Sequence, residues 1–495
     1  MEQRSKNELP GAIPEVSEPT RSDGWAERIH ERVRVPAPLI RRRLPSGRGA
    51  TEQPNNTGEG EAYLNLRFWV ALLVTGIATG LFGDFMMYIL FHFEHFAFGY
   101  GPGDYQSRVE RASAIHRVLS LAIAGAFVGP AWFFLRKYTK GEKSEVDEVV
   151  WAGDGKLSFR RSFISGAISE IAVGMGASIG REAAPKLLGG VSGSLASGWF
   201  GLNTSQRKLL VACGAGAGLA AVYNVPLGGA LFTAEVMLGS IALPVVLPAL
   251  ACAFIATSTA WIYLPQHATY VNLPAFHFTL SILIWALIAG PVVGLLASVY
   301  IRLIGWISHH RLKGRIMAGG PLVAFSILGA IGVAYPALFG NGKDMAHRAF
   351  LGQGTLLLFL ALFALKPLVT ALCLGSGASG GLFTPFLSTG AMFGAMAGVL
   401  WSHLWAGQSI GAYAVVGAAA MLGAAIQGPL AAVALVIELT HTGFGIMVPI
   451  IAAVFLATTI ARRIDGYSIY SARLPAEAPD NEPRAEQPGA TERAG

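Results

Sequence analysis

Residues 180–185 read Gly-Arg-Glu-Ala-Ala-Pro and lie inside a long apolar stretch, which makes them the first candidates for chemistry. An arginine beside a glutamate is costly in a lipid environment and usually has a functional reason there. The glycine and the proline interrupt a regular helix and leave backbone N–H groups free where the next helix starts. Such a helix start attracts an anion, and the Glu182 carboxylate competes for the same donors. The cluster therefore predicts an anion site that carries its own gate.

A second interruption of the apolar sequence has the same character. Residues 375–381 read Gly-Ser-Gly-Ala-Ser-Gly-Gly, and a run so rich in glycine is unsuited to a helix interior. Thr384 and Pro385 follow and suit the first turn of a new helix. We therefore expect a second helix N-terminus, whose positive dipole end holds an anion weakly enough for transit.

The two interruptions belong to an internal repeat. Downstream of them, two apolar segments align so that Pro226 matches Pro429 and Glu235 matches Glu438. Paired segments interrupted by glycine and proline in the two halves of a transporter point to its binding site. The two helix starts are therefore expected to converge, one from each half of the chain.

The composition is that of a helical membrane protein with many spans. Of 495 residues, 53% are hydrophobic and only 14% are charged, and the mean hydropathy is +0.50. A soluble domain has about 25% charged residues. The chain also contains 61 glycines, which allow membrane helices to pack closely.

Composition divides the chain into three parts. Residues 1–66 predict a disordered, basic cytoplasmic tail. Residues 67–471 predict the transmembrane domain, with a first repeat over about 68–264 and a second over about 278–471. Residues 472–495 predict a short polar tail.

Basic residues outside the apolar segments predict the orientation. They cluster at 136–161 and 302–315 and at Arg462 and Arg463. Because basic loops mark the cytoplasmic side, we expect a multi-pass protein of the inner (plasma) membrane with both termini cytoplasmic. Much of the formal charge of +7 lies in the N-terminal tail, so nucleic acid is not expected as a partner.

The sequence contains no motif that indicates enzymatic catalysis or metal binding. The apolar segments contain no Ser/His pair, His-Glu-x-x-His motif or paired aspartates, so neither an enzyme nor a cofactor is expected. Cys213, Cys252 and Cys373 lie in apolar segments without the spacing of a metal site or disulfide framework, and they are interpreted as small buried hydrophobes.

Three motifs together carry a family resemblance. Residues 180–182 (Gly-Arg-Glu), 381–385 (Gly-Leu-Phe-Thr-Pro) and 470–472 (Tyr-Ser-Ala) resemble motifs of the CLC family of chloride channels and proton-coupled chloride antiporters. The resemblance extends over about residues 68–475. It implies an all-α polytopic membrane protein, built from two inverted-topology repeats of tilted and broken helices. It also implies a homodimer in the lipid bilayer, with one pore per subunit.

The resemblance assigns roles to individual residues. Glu182 corresponds to the gating glutamate, whose carboxylate occupies the outer anion site and leaves when it is protonated. The implied partners are chloride ions and, in an antiporter, protons. The implied anion-binding residues contribute backbone amides, or in the last case a hydroxyl: Arg181, Glu182, Ala183, Leu382, Phe383 and Tyr470.

The chain departs from the family pattern on both sides of the gate. Where the family has Gly-Ser-Gly-Ile-Pro, residues 140–144 read Lys-Gly-Glu-Lys-Ser, so the serine that contacts the inner anion is absent from its aligned place. Lys140 and Lys143 either attract anions to the inner mouth or belong to a solvated basic loop. Lys186 favours the ionised form of Glu182, adds to the anion site, or extends to the membrane interface.

Val236 bears on the transport mode. It stands where proton-coupled members usually carry an intracellular glutamate, and valine cannot relay a proton. This favours a channel over the alternative, a proton-coupled chloride antiporter. A further alternative with the same fold is a fluoride exporter, because the inner serine is missing.

Five other ionisable residues lie in apolar runs and are candidates for an ion or proton path: Asp84, Glu170, Glu235, Lys366 and Glu438. Glu170 is the leading substitute for the missing proton relay. Glu235 is a candidate for a proton path or for anion attraction, but its match with Glu438 favours hydrogen bonding to helix termini.

Overall fold

The computed structural model describes residues 64–100, 104–143, 145–405 and 408–474. The predicted tails therefore lie outside the described residues, except for their few residues next to the membrane domain. The described part is α-helical and contains no β-strand beyond one isolated bridge. The first-half helices are α1 Leu66–Phe98, α2 Tyr105–Arg111, α3 Ala114–Tyr138, α4 Val146–Trp151, α5 Phe159–Gly174, α6 Ala183–Trp199, α7 Thr204–Tyr223, α8 Pro226–Leu231 with a π-helical continuation Phe232–Met237, and α9 Leu243–Ala260.

The second half follows the same plan. Short 3₁₀ turns lie at Pro336–Leu338, Phe444–Ile446 and Ser471–Arg473. The second-half helices are α10 Leu280–His310, α11 Ile316–Ala334, α12 Lys343–Phe350, α13 Leu356–Gly375, α14 Phe383–Ser402, α15 Ile410–Ile426, α16 Pro429–Thr440 and α17 Met447–Ile464.

Eight helices of the described part are long and apolar enough to cross a membrane, judged by length and composition. They are α1, α3, α9, α10, α11, α13, α14 and α17 with its preceding 3₁₀ turn. Many large apolar side chains of these helices are exposed, among them Phe254, Val299 and Phe455. Such side chains suit contact with lipid rather than water.

The repeat expected from the sequence appears as matching chain geometry. In each half a loop leads into a buried helix, α6 or α14, and a second buried helix follows, α7 or α15. The second helix ends at a residue in the left-handed conformation, Asn224 with φ 56° or Gln427 with φ 57°. A helix that begins at proline then starts, at Pro226 or Pro429.

Breaks between helices fall inside apolar runs. The run over 163–200 is two helices, α5 and α6, because Gly176 adopts a φ of 116° and residues 175–182 leave the helical path. The run over 208–237 is broken after Tyr223, where Asn224 turns the chain. These breaks place helix ends at depth in the protein, where their backbone groups need partners.

Glycines allow the buried helices to approach closely. Gly189 of α6 faces Gly214 of α7, and a Cβ on either one would collide with the backbone carbonyl of the other. Between the halves, Gly125 and Gly129 of α3 pack on the backbone of α11 in the same way. Small residues at helix contacts are the usual basis of close packing in membranes.

Candidate anion-pathway site

The two interrupted loops meet backbone to backbone. Gly180 donates its N–H to the carbonyl of Gly381 at 2.7 Å, and Gly381 donates to the carbonyl of Gly180 at 2.8 Å. Directly after this bridge, α6 begins at Ala183 and α14 at Phe383. The N-terminal ends of both helices therefore lie side by side, as the sequence predicts, and their partial positive charges act on the same volume.

Glu182 reaches from the first repeat to the helix start of the second. Its carboxylate Oε1 accepts a hydrogen bond from the backbone N–H of Phe383 at 2.6 Å. The Thr384 hydroxyl lies 3.5 Å from Oε2. The side chain is buried, with 3% exposure. A carboxylate thus occupies a free helix amide that is equally suited to a small anion.

The glycines of the bridge make room for this carboxylate. A Cβ on Gly180 or on Gly381 would collide with the carboxylate of Glu182. Without a side chain at either glycine, the Glu182 carboxylate has room to reach the Phe383 amide.

Tyr223 and Arg181 close the far side of the site. The Tyr223 hydroxyl lies 2.7 Å from the Thr384 hydroxyl oxygen, and the guanidinium of Arg181 lies 4.8 Å from the centroid of the Tyr223 ring. Both residues are buried. Arg181 thus sits beside the gate as a cation stacked on an aromatic face, with Glu94 and Glu170 as further electrostatic partners.

A cavity of about 80 Å³, which we call the Lys186 cavity, extends from Glu182. Lys186 lies 2.8 Å and 3.0 Å from the two carboxylate oxygens of Asp147, and its ammonium lies 4.0 Å from the centroid of the Tyr470 ring. The Lys186 side chain is only 13% exposed. The cavity is lined by α4, α5, α6, the last 3₁₀ turn and the two loops that form the Gly180–Gly381 bridge, which we call the bridge loops (residues 175–182 and 376–382). Its charged and anion-pathway residues are Glu145, Asp147, Glu182, Ala183, Lys186, Leu382, Tyr470 and Arg473.

The predicted anion-binding residues are grouped around this point. Ala183, Leu382 and Tyr470 line the Lys186 cavity together with Glu182. Phe383 contributes its N–H to the Glu182 carboxylate. Lys140 and Lys143 are exposed and do not line the cavity, and Ser144 lies outside the described residues.

Glu235 and Glu438 exchange helix caps between the repeats. The Glu235 carboxylate accepts hydrogen bonds from the N–H groups of Leu430 and Ala431 at the start of α16. The Glu438 carboxylate accepts from Leu227 and Gly228 at the start of α8. Each carboxylate therefore compensates the positive end of the other repeat's helix.

Glu170 is different because it lacks such donors. It is fully buried on α5, and neither carboxylate oxygen has a hydrogen-bond partner among the described residues. Its electrostatic neighbours are Arg181, Glu182 and Glu94. Val236, next to Glu235, is half-buried and offers no proton-binding atom.

Comparison with known proteins places the chain in a family. The family model described as voltage gated chloride channel matches residues 128–462, more than half of the chain. The chain belongs to this family. The predicted all-α, inverted-repeat fold of the CLC family is thereby confirmed, as is a multi-pass membrane protein.

Curated relatives match over most of their own length. A putative chloride channel protein ClcB-like of Ralstonia nicotianae is 32% identical over 344 residues, which are 66% of this chain and 78% of that protein. A voltage-gated ClC-type chloride channel ClcB of Escherichia coli O81 is 29% identical over 368 residues, which are 72% of this chain and 86% of that protein.

Solved structures share the fold. A slow cyanobacterial Cl⁻/H⁺ antiporter superposes with a TM-score of 0.72 at 24% identity, covering 82% of this chain and 97% of that one. A CLC-type fluoride/proton antiporter superposes with a TM-score of 0.65 at 22% identity, with the same coverage. At these identities the likeness is one of fold.

Sequence reasoning missed three residues of the site: Asp147, Tyr223 and Thr384. Asp147 lies in a stretch rich in charges of both signs, which hides a single buried carboxylate. Tyr223 had a signal, because it directly precedes the Asn224 turn and the Pro226 helix start. Thr384 was recognised as a helix-start residue, but its proximity to Glu182 depends on how the two halves pack.

Proposed function

We propose that this chain transports chloride across a membrane and that Glu182 is the gate. The observation that carries the proposal is the hydrogen bond from Phe383 N–H to the Glu182 carboxylate. A negatively charged group already occupies the amide that an anion in transit would use. The curated relatives are named as chloride channels, which supports chloride as the anion.

Protonation of Glu182 opens the gate in this proposal. The neutral side chain loses its charge-assisted bond to the Phe383 amide and is no longer attracted to the two helix N-termini. An anion then binds the vacated amides, with the positive charges of Arg181 and Lys186 nearby. Flux is therefore expected to rise as pH falls.

We propose passive conduction as the primary mode because Val236 carries no proton-binding group. Proton-coupled exchange is the second candidate, and Glu170 favours it as a buried carboxylate without hydrogen-bond partners, in electrostatic contact with Glu182. In the second candidate Glu170 passes protons to and from the gate. The antiporters among the structural neighbours are compatible with this candidate.

Chloride flux from liposomes tests the gate and the mode. The Glu182→Gln substitution keeps the shape of the side chain but removes the negative charge of its carboxylate. Hydrogen bonds to charged groups contribute about 1.5–3 kcal/mol, so we expect flux at neutral pH to rise about tenfold or more and to lose its pH dependence. An unchanged pH dependence would reject Glu182 as the gate.

Uphill proton movement driven by a chloride gradient would reject passive conduction, and parallel assays with fluoride test the fluoride-exporter alternative.

We further propose a homodimer in the inner (plasma) membrane with both termini cytoplasmic. The orientation is supported by the placement of Arg136, Arg161, Arg311 and Arg463 at helix ends or in short loops, where positive charge favours the cytoplasmic side. The homodimer is what the resemblance to the CLC family implies. Because Cys213, Cys252 and Cys373 are buried, single cysteines introduced near either terminus report sidedness with an impermeant thiol reagent. Labelling only from the periplasmic side would reject this orientation.

A further inference from the structure

The Lys186 cavity contains an ion pair between Lys186 and Asp147, and the pairing itself has no part in the proposed gate. The ammonium of Lys186 contacts both carboxylate oxygens of Asp147, at 2.8 Å and 3.0 Å. The two side chains are 13% and 10% exposed. A buried pair of this kind is costly to desolvate and is often no better for stability than apolar residues of similar size. Its presence beside the anion path suggests a function.

The surroundings of the pair resemble a binding site for a small anion. Lys186 stands in the first turns of α6, four residues after Glu182. Its ammonium lies over the Tyr470 ring, which holds the cation in place without neutralising its charge. Both residues line the same cavity as Glu182. An anion at the Glu182 position therefore lies in the same cavity as the Lys186 ammonium.

We propose that Asp147 is a second gating carboxylate, which occupies the Lys186 ammonium and is displaced by a halide-sized anion. The inference rests on the proposed transport function. Glu182 competes with the anion for the Phe383 amide, and Asp147 competes with it for the Lys186 ammonium. The anion path thus has two positions, each filled by a carboxylate of the protein when no anion is bound.

The charges of the cavity explain why an arriving anion displaces Asp147 from Lys186 rather than binding beside it. Besides Asp147 and Lys186, the cavity is lined by two carboxylates, Glu145 and Glu182, and one further cation, Arg473. An anion that enters while Lys186 remains paired adds a negative charge to a cavity with no free excess of positive charge. Release of Asp147 from Lys186 lowers this penalty because the ammonium then faces the anion directly. Asp147 lies in the first turn of the short helix α4, next to the exposed Glu145.

Chloride binding to the purified full-length protein, measured by titration calorimetry, tests the proposal. Asp147→Asn removes the competing charge, so we expect chloride affinity to rise about tenfold. Lys186→Met removes the ammonium and is expected to lower the affinity about tenfold. In the double variant, Asp147→Asn should no longer raise the affinity because the cation for which it competed is gone.

A matched control comes from an exposed ion pair in the next loop. Asp154 lies 3.7 Å from Lys156, is 46% exposed and does not line the cavity, so Asp154→Asn should leave chloride affinity unchanged. Asp147→Ser provides a second variant should Asp147→Asn fail to fold. A purely structural pair would instead lower the melting temperature in each single variant, restore it in the double variant and leave chloride affinity constant, and that result would overturn the proposal.

The two proposals fail in different ways. Wild-type flux and the pH response of Glu182→Gln report on transport and on its gate. Suppose that Glu182→Gln shows the expected pH response, but that Asp147→Asn changes chloride affinity equally in the presence and in the absence of Lys186. That result rejects the second gate and leaves the transport proposal intact. Absence of chloride flux and chloride binding in the wild type rejects the transport function, and with it the second gate.

Discussion

Gly381 shows how a missing side chain determines the position of a charged one. A Cβ at this residue would collide with the Glu182 carboxylate, and its three nearest neighbouring atoms all belong to that side chain. The backbone of Gly381 is not in the left-handed region, so an alanine fits its conformation. The residue is therefore a glycine because Glu182 needs the space, and not because of a turn.

Gly381→Ala is expected to expel the Glu182 carboxylate from the Phe383 amide while Glu182 itself is unchanged. Neutral-pH chloride flux should rise toward the rate of Glu182→Gln, about tenfold or more above wild type. Gly375→Ala is the matched control, because its Cβ would meet only Ile307 at 3.3 Å and 3.7 Å. Liposome flux at several pH values measures the effect. Wild-type flux in Gly381→Ala would show that the carboxylate does not block the path from this position.

At the scale of elements, long-range polar contacts hold the two bridge loops in place. On α13 the fully buried ammonium of Lys366 donates to the Ser178 hydroxyl at 2.8 Å and to the Gly340 carbonyl at 3.0 Å. At the end of α3, Arg136 donates to the Gly377 carbonyl and the Ser379 hydroxyl, both at 2.9 Å. These bonds supply partners for backbone that is not helical at depth, as membrane burial requires.

The exchanged caps of α8 and α16 should contribute to stability without serving transport. Glu235→Gln and Glu438→Gln each remove a charge from a helix N-terminus. Each is expected to cost about 1 kcal/mol and to lower the melting temperature in detergent, with chloride flux per folded protein unchanged.

Glu142→Gln is the control for the exchanged caps, since this exposed carboxylate bonds a serine hydroxyl and not helix amides. A selective loss of flux in Glu235→Gln, at normal stability, would instead place Glu235 on an ion or proton path.

At the scale of the whole molecule, one chain supplies all the residues of the candidate site that the structure describes. Glu182 and Lys186 come from the first repeat, and Phe383 and Tyr470 come from the second. The repeats are joined at the site by the bridge between Gly180 and Gly381. A second copy of the chain is thus not needed to build the site.

Assemblies that mix wild-type and Glu182→Gln chains are therefore expected to show two independent paths. Purification through two different affinity tags isolates such assemblies. Their chloride flux should equal the mean of the two parents at every pH. Mixed assemblies that behave like one parent alone would mean that the gates are coupled between chains.

The sequence predicts the repeat, the two helix starts and the position of the gate because each leaves a local signal. Glycine runs, aligned prolines and a charged pair in an apolar stretch are visible without knowledge of packing. The pairing of Asp147 with Lys186 leaves no such signal, since the two are brought together by the packing of α4 beside α6. The same holds for Tyr223 and Thr384, which meet only across the repeats.

The bridge between Gly180 and Gly381 also limits how far the two halves of the chain can move against each other during transport. Two backbone hydrogen bonds, at 2.7 Å and 2.8 Å, join the halves at the point of ion passage, so rocking one half against the other would break both. The motion that remains at the site is rotation of side chains, which are Glu182 at the Phe383 amide and, in our proposal, Asp147 at the Lys186 ammonium. We therefore expect turnover to respond more strongly to pH than to bilayer thickness or viscosity.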